Sequence, residues 1–160
     1  MNTHTISLTV ENRHGALSRI ANLFSSRGYN ITSLNVAETE DASISRMTIV
    51  VAGDEEIIEQ VVKQLNRLID VIKVTDFASE PTINRETLLL RVDAGKSNRH
   101  EIVQLATLFS AKVAGVSPTS LVLELTADPK ALDDFVAIVK PYGLKELVRS
   151  GAIAISAAKK

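Results

Sequence analysis

Thr5-Ile6-Ser7-Leu8-Thr9-Val10-Glu11, the turn Asn12-Arg13-His14-Gly15, and then Ala16-Leu17-Ser18-Arg19-Ile20-Ala21-Asn22-Leu23-Phe24 is the stretch on which the fold depends. Ile6, Leu8 and Val10 alternate with polar residues, the period of a half-buried strand. Beyond the turn the period changes. Leu17, Ile20, Ala21 and Phe24 fall on one helical stripe, and Gly28 stands where a left-handed C-terminal cap is usually placed. A strand running straight into a helix calls for a second strand, and Asn30 to Glu38 supplies it. After the polar turn Thr39 to Ser43 comes a third, in which Met47, Ile49 and Val51 alternate with Arg46 and Thr48. These two read as a hairpin.

Asp54 then offers an N-cap with Glu55 and Glu56 in the first turn, and Ile57, Val61, Leu65 and Leu68 share the face expected to be buried. Val71 to Phe77 closes the unit. The order β-α-β-β-α-β is the split βαβ, or ferredoxin-like, arrangement of the α+β class, with both helices on one face of an antiparallel sheet. The other sheet face needs a cover, and a second copy of the chain is the expected one.

Ser79-Glu80-Pro81-Thr82 reads as a linker, and the same element order recurs beyond it. Leu88, Leu90 and Val92 alternate, Ile102, Leu105, Ala106 and Phe109 form a stripe, and Val113 to Val116 with Leu121, Leu123 and Leu125 forms a hairpin around Pro118. Asp128 before Pro129 marks a helix start, leading to Leu132, Phe135, Val136 and Val139 on one face. Leu144 to Arg149 is the last strand, with Gly151 to Ile155 as an apolar extension. The chain is thus expected to hold tandem ferredoxin-like units, at 1–78 and 83–160.

Composition narrows the function. Of 160 residues, 45% are hydrophobic but only 4% aromatic, so the core is aliphatic. The formal charge is −1 with no block of like charges, which lacks the electrostatic footprint of a nucleic-acid binder. No cysteine is present, excluding disulfides, thiolate metal sites and a cysteine nucleophile. With no basic and apolar leader and no membrane-length apolar run, a cytoplasmic protein without membrane contact is expected. His4, His14 and His100 lie in unrelated contexts without zinc or triad spacing, and read as surface or loop histidines. The carboxylates at Glu38, Glu40 and Asp41, and at Glu55, Glu56 and Glu59, read as solvated clusters.

The chemically informative segment is the junction from Val10 to Leu17. Gly15 stands before a helix whose bare first-turn amides attract an anion such as an amino-acid carboxylate, and Asn12 carries a carbonyl for an ammonium group and an amide for a carboxylate. Asn30 carries the same two-way amide, with apolar Ile31 beside it. All four residues serve equally as turn and core residues, and spacing does not choose between the two readings.

The runs Glu11-Asn12-Arg13-His14-Gly15-Ala16-Leu17-Ser18-Arg19 and Leu23-Phe24-Ser25-Ser26-Arg27-Gly28-Tyr29-Asn30-Ile31-Thr32-Ser33-Leu34 resemble the small, regulatory subunit family of acetohydroxyacid (acetolactate) synthase. Ser45-Arg46-Met47-Thr48-Ile49, Asn84-Arg85-Glu86 and Ser150-Gly151 extend the resemblance over essentially the whole chain. It implies that the first unit is an ACT domain pairing with its copy in a second chain, with valine at the interface of the homodimer. Asn12, Gly15 and Ala16 of one chain would then face Asn30 and Ile31 of the other. It also implies a non-catalytic subunit, stimulating a separate catalytic large subunit that holds thiamine diphosphate, magnesium and FAD, none of which binds here. The second unit has Gly95-Lys96-Ser97-Asn98 at the equivalent junction, lacks the Asn-x-x-Gly pattern, and would contact the catalytic subunit or dimerise. Two alternatives remain: a free-standing ACT-type sensor acting on another enzyme, and a ferredoxin-like hydrolase of the acylphosphatase kind, for which Arg13 beside Asn12 would form the anion loop.

Overall fold

A computed structural model describes residues 3–78 and 81–157, so Ser79 and Glu80 of the expected linker lie outside the described residues. The chain forms two compact units, Met1–Ile83 together with Ala152–Lys160, and Asn84–Gly151.

In the first unit β1 (Thr3–Glu11), α1 (Ala16–Ser26), β2 (Ile31–Glu38), β3 (Ile44–Ala52), α2 (Glu55–Leu65) and β4 (Val71–Asp76) follow the expected order. Their sheet runs β2-β3-β1-β4, and every pairing is antiparallel. Ile6 sits opposite Ile49 and Leu8 opposite Met47, so the alternation read in each strand lands on one face. That face packs against Ile20 and Phe24 of α1 and Ile58, Val61 and Leu65 of α2. The helices are rotated from the expected stripes. In α1 the fully buried line is Ala16, Ile20 and Phe24, while Leu17 is 41% exposed. In α2, Ile58 takes the buried position and Ile57 only its margin. A helix beginning at position 16 and crossing the sheet on its i, i+4, i+8 ridge presents those residues, which a stripe read on the isolated helix does not specify.

Asp54 caps α2 by accepting from the Ile57 amide at 3.0 Å, and Gly28 ends α1 at φ +70°, both as expected.

The second face of this sheet, for which a cover was expected, is not a continuous apolar surface. It presents Thr5, Ser7 and Thr9, with Val50, Thr48 and Arg46 of β3 and Thr75 and Lys73 of β4 beside them in register, a mixed and mainly polar surface, and the chain itself covers part of it. The Ala152 amide donates to Ser33 Oγ at 3.1 Å, β9 (Ile153–Ser156) lies against β1, and Ser7 and Thr48 are buried. Residues from Ala152 onward therefore belong with the first unit, where the sequence assigned them to the second.

The second unit repeats the plan with β5 (Thr82–Asp93), α3 (Arg99–Leu108), β6 (Lys112–Val116), β7 (Ser120–Ala127), α4 (Pro129–Val139) and β8 (Leu144–Arg149), in the sheet order β6-β7-β5-β8. Thr82, expected in the linker, already begins β5. Leu88, Leu90, Val92, Ile102, Ala106, Leu123, Leu132 and Phe135 form the core, and Asp128 caps α4 through the Ala131 amide at 3.0 Å. Among the described residues no helix is long and apolar enough to cross a membrane.

Candidate functional site

The junction after β1 is held from three sides. The Glu11 amide donates to the Asp70 carbonyl at 2.8 Å, the Asn12 amide to the Ser43 carbonyl at 2.7 Å, and the Ala16 amide to the Arg13 carbonyl at 3.2 Å. Gly15 is the N-terminal cap position of α1 at φ +84°, a left-handed conformation costly for residues with a Cβ, and no side chain caps the helix behind it. Ala16 is buried beneath. The uncapped first turn retains the positive end of the helix dipole, with no acidic residue in that turn to neutralise it.

Asn12 behaves differently from the two-way amide expected. Its Nδ2 donates to Glu38 Oε1 and to the Ala42 carbonyl, both at 2.9 Å. These two bonds use both amide hydrogens, so the group that Asn12 can offer a ligand is the acceptor Oδ1. Oδ1 suits an ammonium, and an anion is left to the α1 amides. Glu38, read from sequence as a solvated carboxylate, is thus part of the loop's construction. Asp41 has a similar role: its Oδ1 accepts from the Ser43 amide at 2.9 Å and the Ser43 hydroxyl at 2.6 Å. The hydroxyl bond above all holds the Asp41 carboxyl below its ordinary range.

Sequence reasoning also missed Arg19 and Asp70. Arg19 Nε donates to the buried Asp70 carboxylate, and its Nη2 reaches the His14 carbonyl at 3.4 Å. The hydrogen bond from Arg19 depresses the Asp70 pKa and the same bond raises that of Arg19. A Cβ at Gly15 would lie 2.9 Å from Arg19 Nη1, so Gly15 leaves room for this clamp. The only signal in the sequence was an arginine one turn into an amphipathic helix, which reads as ordinary solvated surface.

Asn30 and Ile31 lie elsewhere. Ile31 pairs with Val51, which pairs with His4 at the start of β1, whereas Glu11 pairs with Ile44 at the opposite end of the ladder. Seven strand residues at ~3.3 Å each separate those ends by about 23 Å. Within one chain the structure therefore brings Asn12, Gly15 and Ala16 together and leaves Asn30 and Ile31 at the far end of the sheet.

The histidine expectation needs one correction, because His4 is buried within β1 and both ring nitrogens lack a hydrogen-bond partner. His14 and His100 are exposed as expected. Arg13 Nε pairs with Glu11 at 2.9 Å, and the Asn12 amide is engaged as above, so the two groups an acylphosphatase-like anion loop would need are already bound to carboxylates. Among the described residues no group of three or more His, Asp or Glu side chains is placed to hold a metal ion.

Residues 6–73 match the family model of the small-subunit-like ACT domain of acetohydroxyacid synthase, and residues 85–158 match that of the small subunit of acetolactate synthase. The probable acetolactate synthase small subunit of Archaeoglobus fulgidus is 47% identical over 152 residues, covering 95% of each chain. The acetolactate synthase small subunit of Mycolicibacterium smegmatis is 43% identical, covering 96% of this chain and 91% of its own. A crystal structure of the small subunit from Thermotoga maritima superposes with a TM-score of 0.90 at 33% identity, covering 100% of both chains. With both units matched and relatives aligned end to end, the chain belongs to the acetolactate synthase small-subunit family.

Proposed function

We propose that this chain is a non-catalytic regulatory subunit that raises the activity of a separate catalytic subunit and confers feedback inhibition by valine, acting as a homodimer. In this reading thiamine diphosphate, magnesium and FAD reside on the catalytic subunit, and the second unit serves subunit contact. The observation that carries it is the split of the candidate site. Asn12, Gly15 and Ala16 form one half at the C-terminal end of β1, and Asn30 with Ile31 forms the other about 23 Å away by strand rise. Two halves at opposite ends of one sheet suit a ligand bound between two copies, so that ligand binding and pairing depend on each other.

The chemistry of the first half fits a zwitterion. The uncapped α1 amides favour a carboxylate, and Asn12 Oδ1 accepts from an ammonium, near a Glu38 carboxylate of the matching sign. Ile31 at the far half is apolar and partly buried, suited to an aliphatic side chain. The test is reconstitution with the catalytic subunit followed by valine titration. The isolated chain should show no turnover, the reconstituted enzyme should exceed the catalytic subunit alone, and valine should reverse that gain. Turnover by the isolated chain, or a reconstituted enzyme indifferent to valine, would overturn the reading.

A further inference from the structure

We infer that the row Arg46, Thr9 and Lys73 on the second face of the first unit's sheet docks a carboxylate-bearing segment of the catalytic subunit, a contact additional to that of the second unit. The inference rests on the reading given under Proposed function. Thr9 of β1 pairs with Arg46 of β3 on one side and with Lys73 of β4 on the other, so the three side chains leave the sheet on one face. With strands about 4.8 Å apart, two cations stand about 10 Å apart with a hydroxyl between them. The chain's own cover stops short of this row. Ala152 reaches Ser33, which lies two side-chain rows away, beside Val50. Exposure grows along the face, from buried Ser7 and Thr48 to half-buried Thr9 and then to exposed Arg46 and Lys73.

The fold has no use for these two charges. Among the described residues no ion pair or side-chain hydrogen bond holds Arg46 or Lys73, whereas Arg13, Arg19 and Lys63 of the same unit pair with Glu11, Asp70 and Glu59. A lysine on an edge strand serves to keep that edge from pairing, and β4 is an edge. That role is closed to Arg46, because β3 lies between β2 and β1. Charge selects the occupant. The register places one carboxylate on this face, Glu11, one row beyond Thr9, and Arg13 already holds it at 2.9 Å. Glu38 and Asp76 stand opposite Ser45 and Ile6 and so belong to the helix-packed face. Glu40 and Asp41 lie in the hairpin turn beyond the end of the ladder, Asp41 bound to Ser43, and β9 carries no charged residue. The face therefore holds two cations in excess. A two-fold contact between copies across it would gather four of them, whereas a partner segment carrying carboxylates answers both at once.

The experiment titrates the catalytic subunit with wild-type chain and with Arg46→Glu, Lys73→Glu and Lys63→Glu, reading stimulated activity against subunit concentration at low and high salt. Lys63→Glu makes the same change in net charge on α2, on the other side of the sheet. Circular dichroism and valine binding by the free subunit report on folding, and sedimentation on the dimer. For Arg46→Glu and Lys73→Glu the concentration giving half-maximal stimulation should rise about tenfold or more, with valine binding and dimerisation at wild-type levels, and the gap from wild type should narrow as salt screens the contact. Lys63→Glu should stay within about twofold of wild type. Should a glutamate variant lose its native circular dichroism, Arg46→Gln or Lys73→Gln carries the test with a rise in the same direction. Half-maximal stimulation at the wild-type concentration by either row variant overturns the inference. So does an equal loss with Lys63→Glu, which would make net charge the cause, and so does a changed dimer, which would make the row a self-contact. If wild-type chain stimulates nothing, the proposed function itself falls and the inference with it; if wild type stimulates and the row variants match it, only the docking row is wrong.

Discussion

The strand-to-helix junctions after β1 and β5 hold the same place in their units, and neither α1 nor α3 has a side-chain cap, in contrast to α2 and α4. They are closed differently. At the first junction position 16 at the head of the helix is alanine, position 15 is a left-handed glycine, and the side chain tying the loop to the hairpin turn is Asn12, reaching Ala42 from the strand side. At the second, the head of the helix is Arg99. Its guanidinium donates from Nε and Nη2 to the Ala94 carbonyl, at 3.3 and 2.8 Å, and from Nη2 to the Ser117 carbonyl at 2.5 Å. Asn98, in place of the glycine, donates back to the Asp93 carbonyl at 3.2 Å and adopts φ −116°. The second junction is thus filled by its own side chain, with cationic N–H groups on the carbonyls that could have met a ligand's ammonium. One fold position is left open where it is lined by Gly and Ala, as the proposed valine site requires, and is braced internally where Arg replaces them.

The largest effect should come from Gly15→Asp. The replacement must adopt φ +84°, it places a Cβ against Arg19 Nη1, and it sets a negative charge at the amides proposed to hold a carboxylate. Because its backbone is left-handed rather than extended, the new aspartate cannot act as a regular N-cap. Valine response of the reconstituted enzyme should be lost, a shift of at least about tenfold in effective concentration, while stimulation persists. Gly15→Ala separates strain from charge and should lose less. A Gly15→Asp subunit inhibited at the wild-type valine concentration would remove the first junction from the site.

Arg99→Ala should do the converse. Deleting the brace between Ala94 and Ser117 leaves two partly buried carbonyls unpaired, a loss of about 2 kcal/mol in urea unfolding, and leaves the valine response as it was. An altered response with unchanged stability would break the contrast between the junctions.

The pH dependence of the first junction is a subtler test. The Asp70 pKa is depressed chiefly by its hydrogen bond from Arg19, so its contribution to stability is complete above the ordinary carboxylate pKa of about 4 and disappears as pH falls through the lower folded-state value. Arg19, shifted upward, stays charged throughout this range and adds no pH dependence near neutrality. In thermal melts from pH 7 to pH 3, wild type should lose more stability than Asp70→Asn over the acid range; parallel profiles would show that the clamp contributes nothing. The smallest effect is expected for Asp128→Ala, which removes the cap on the Ala131 amide and should cost about 1 kcal/mol with no change in valine response, since Asp128 belongs to the second unit and is not part of the proposed site.

Much of each unit could be read locally. Ile6, Leu8, Val10, Met47, Ile49 and Val51 are buried as their alternation requires, Asp54 and Asp128 cap the helices they precede, and Gly28 ends α1 in the left-handed region. Strand period, capping and helix termination are properties of a few adjacent residues, so the amino-acid order determines them without reference to the rest of the chain. Asn12 and Gly15 were placed together on the same grounds.

Tertiary structure decided the remainder. Leu17 is exposed and Ala16 buried because the sheet selects which ridge of α1 it meets. Asn12 became a donor to Glu38 across 26 positions, Arg19 a partner of Asp70 across 51, and Ala152 a cover for Ser33 across 119. Each of these depends on where a distant segment arrives, and a side chain's hydrogen-bonding capacity, unlike its hydrophobic period, does not reveal the partner that will satisfy it.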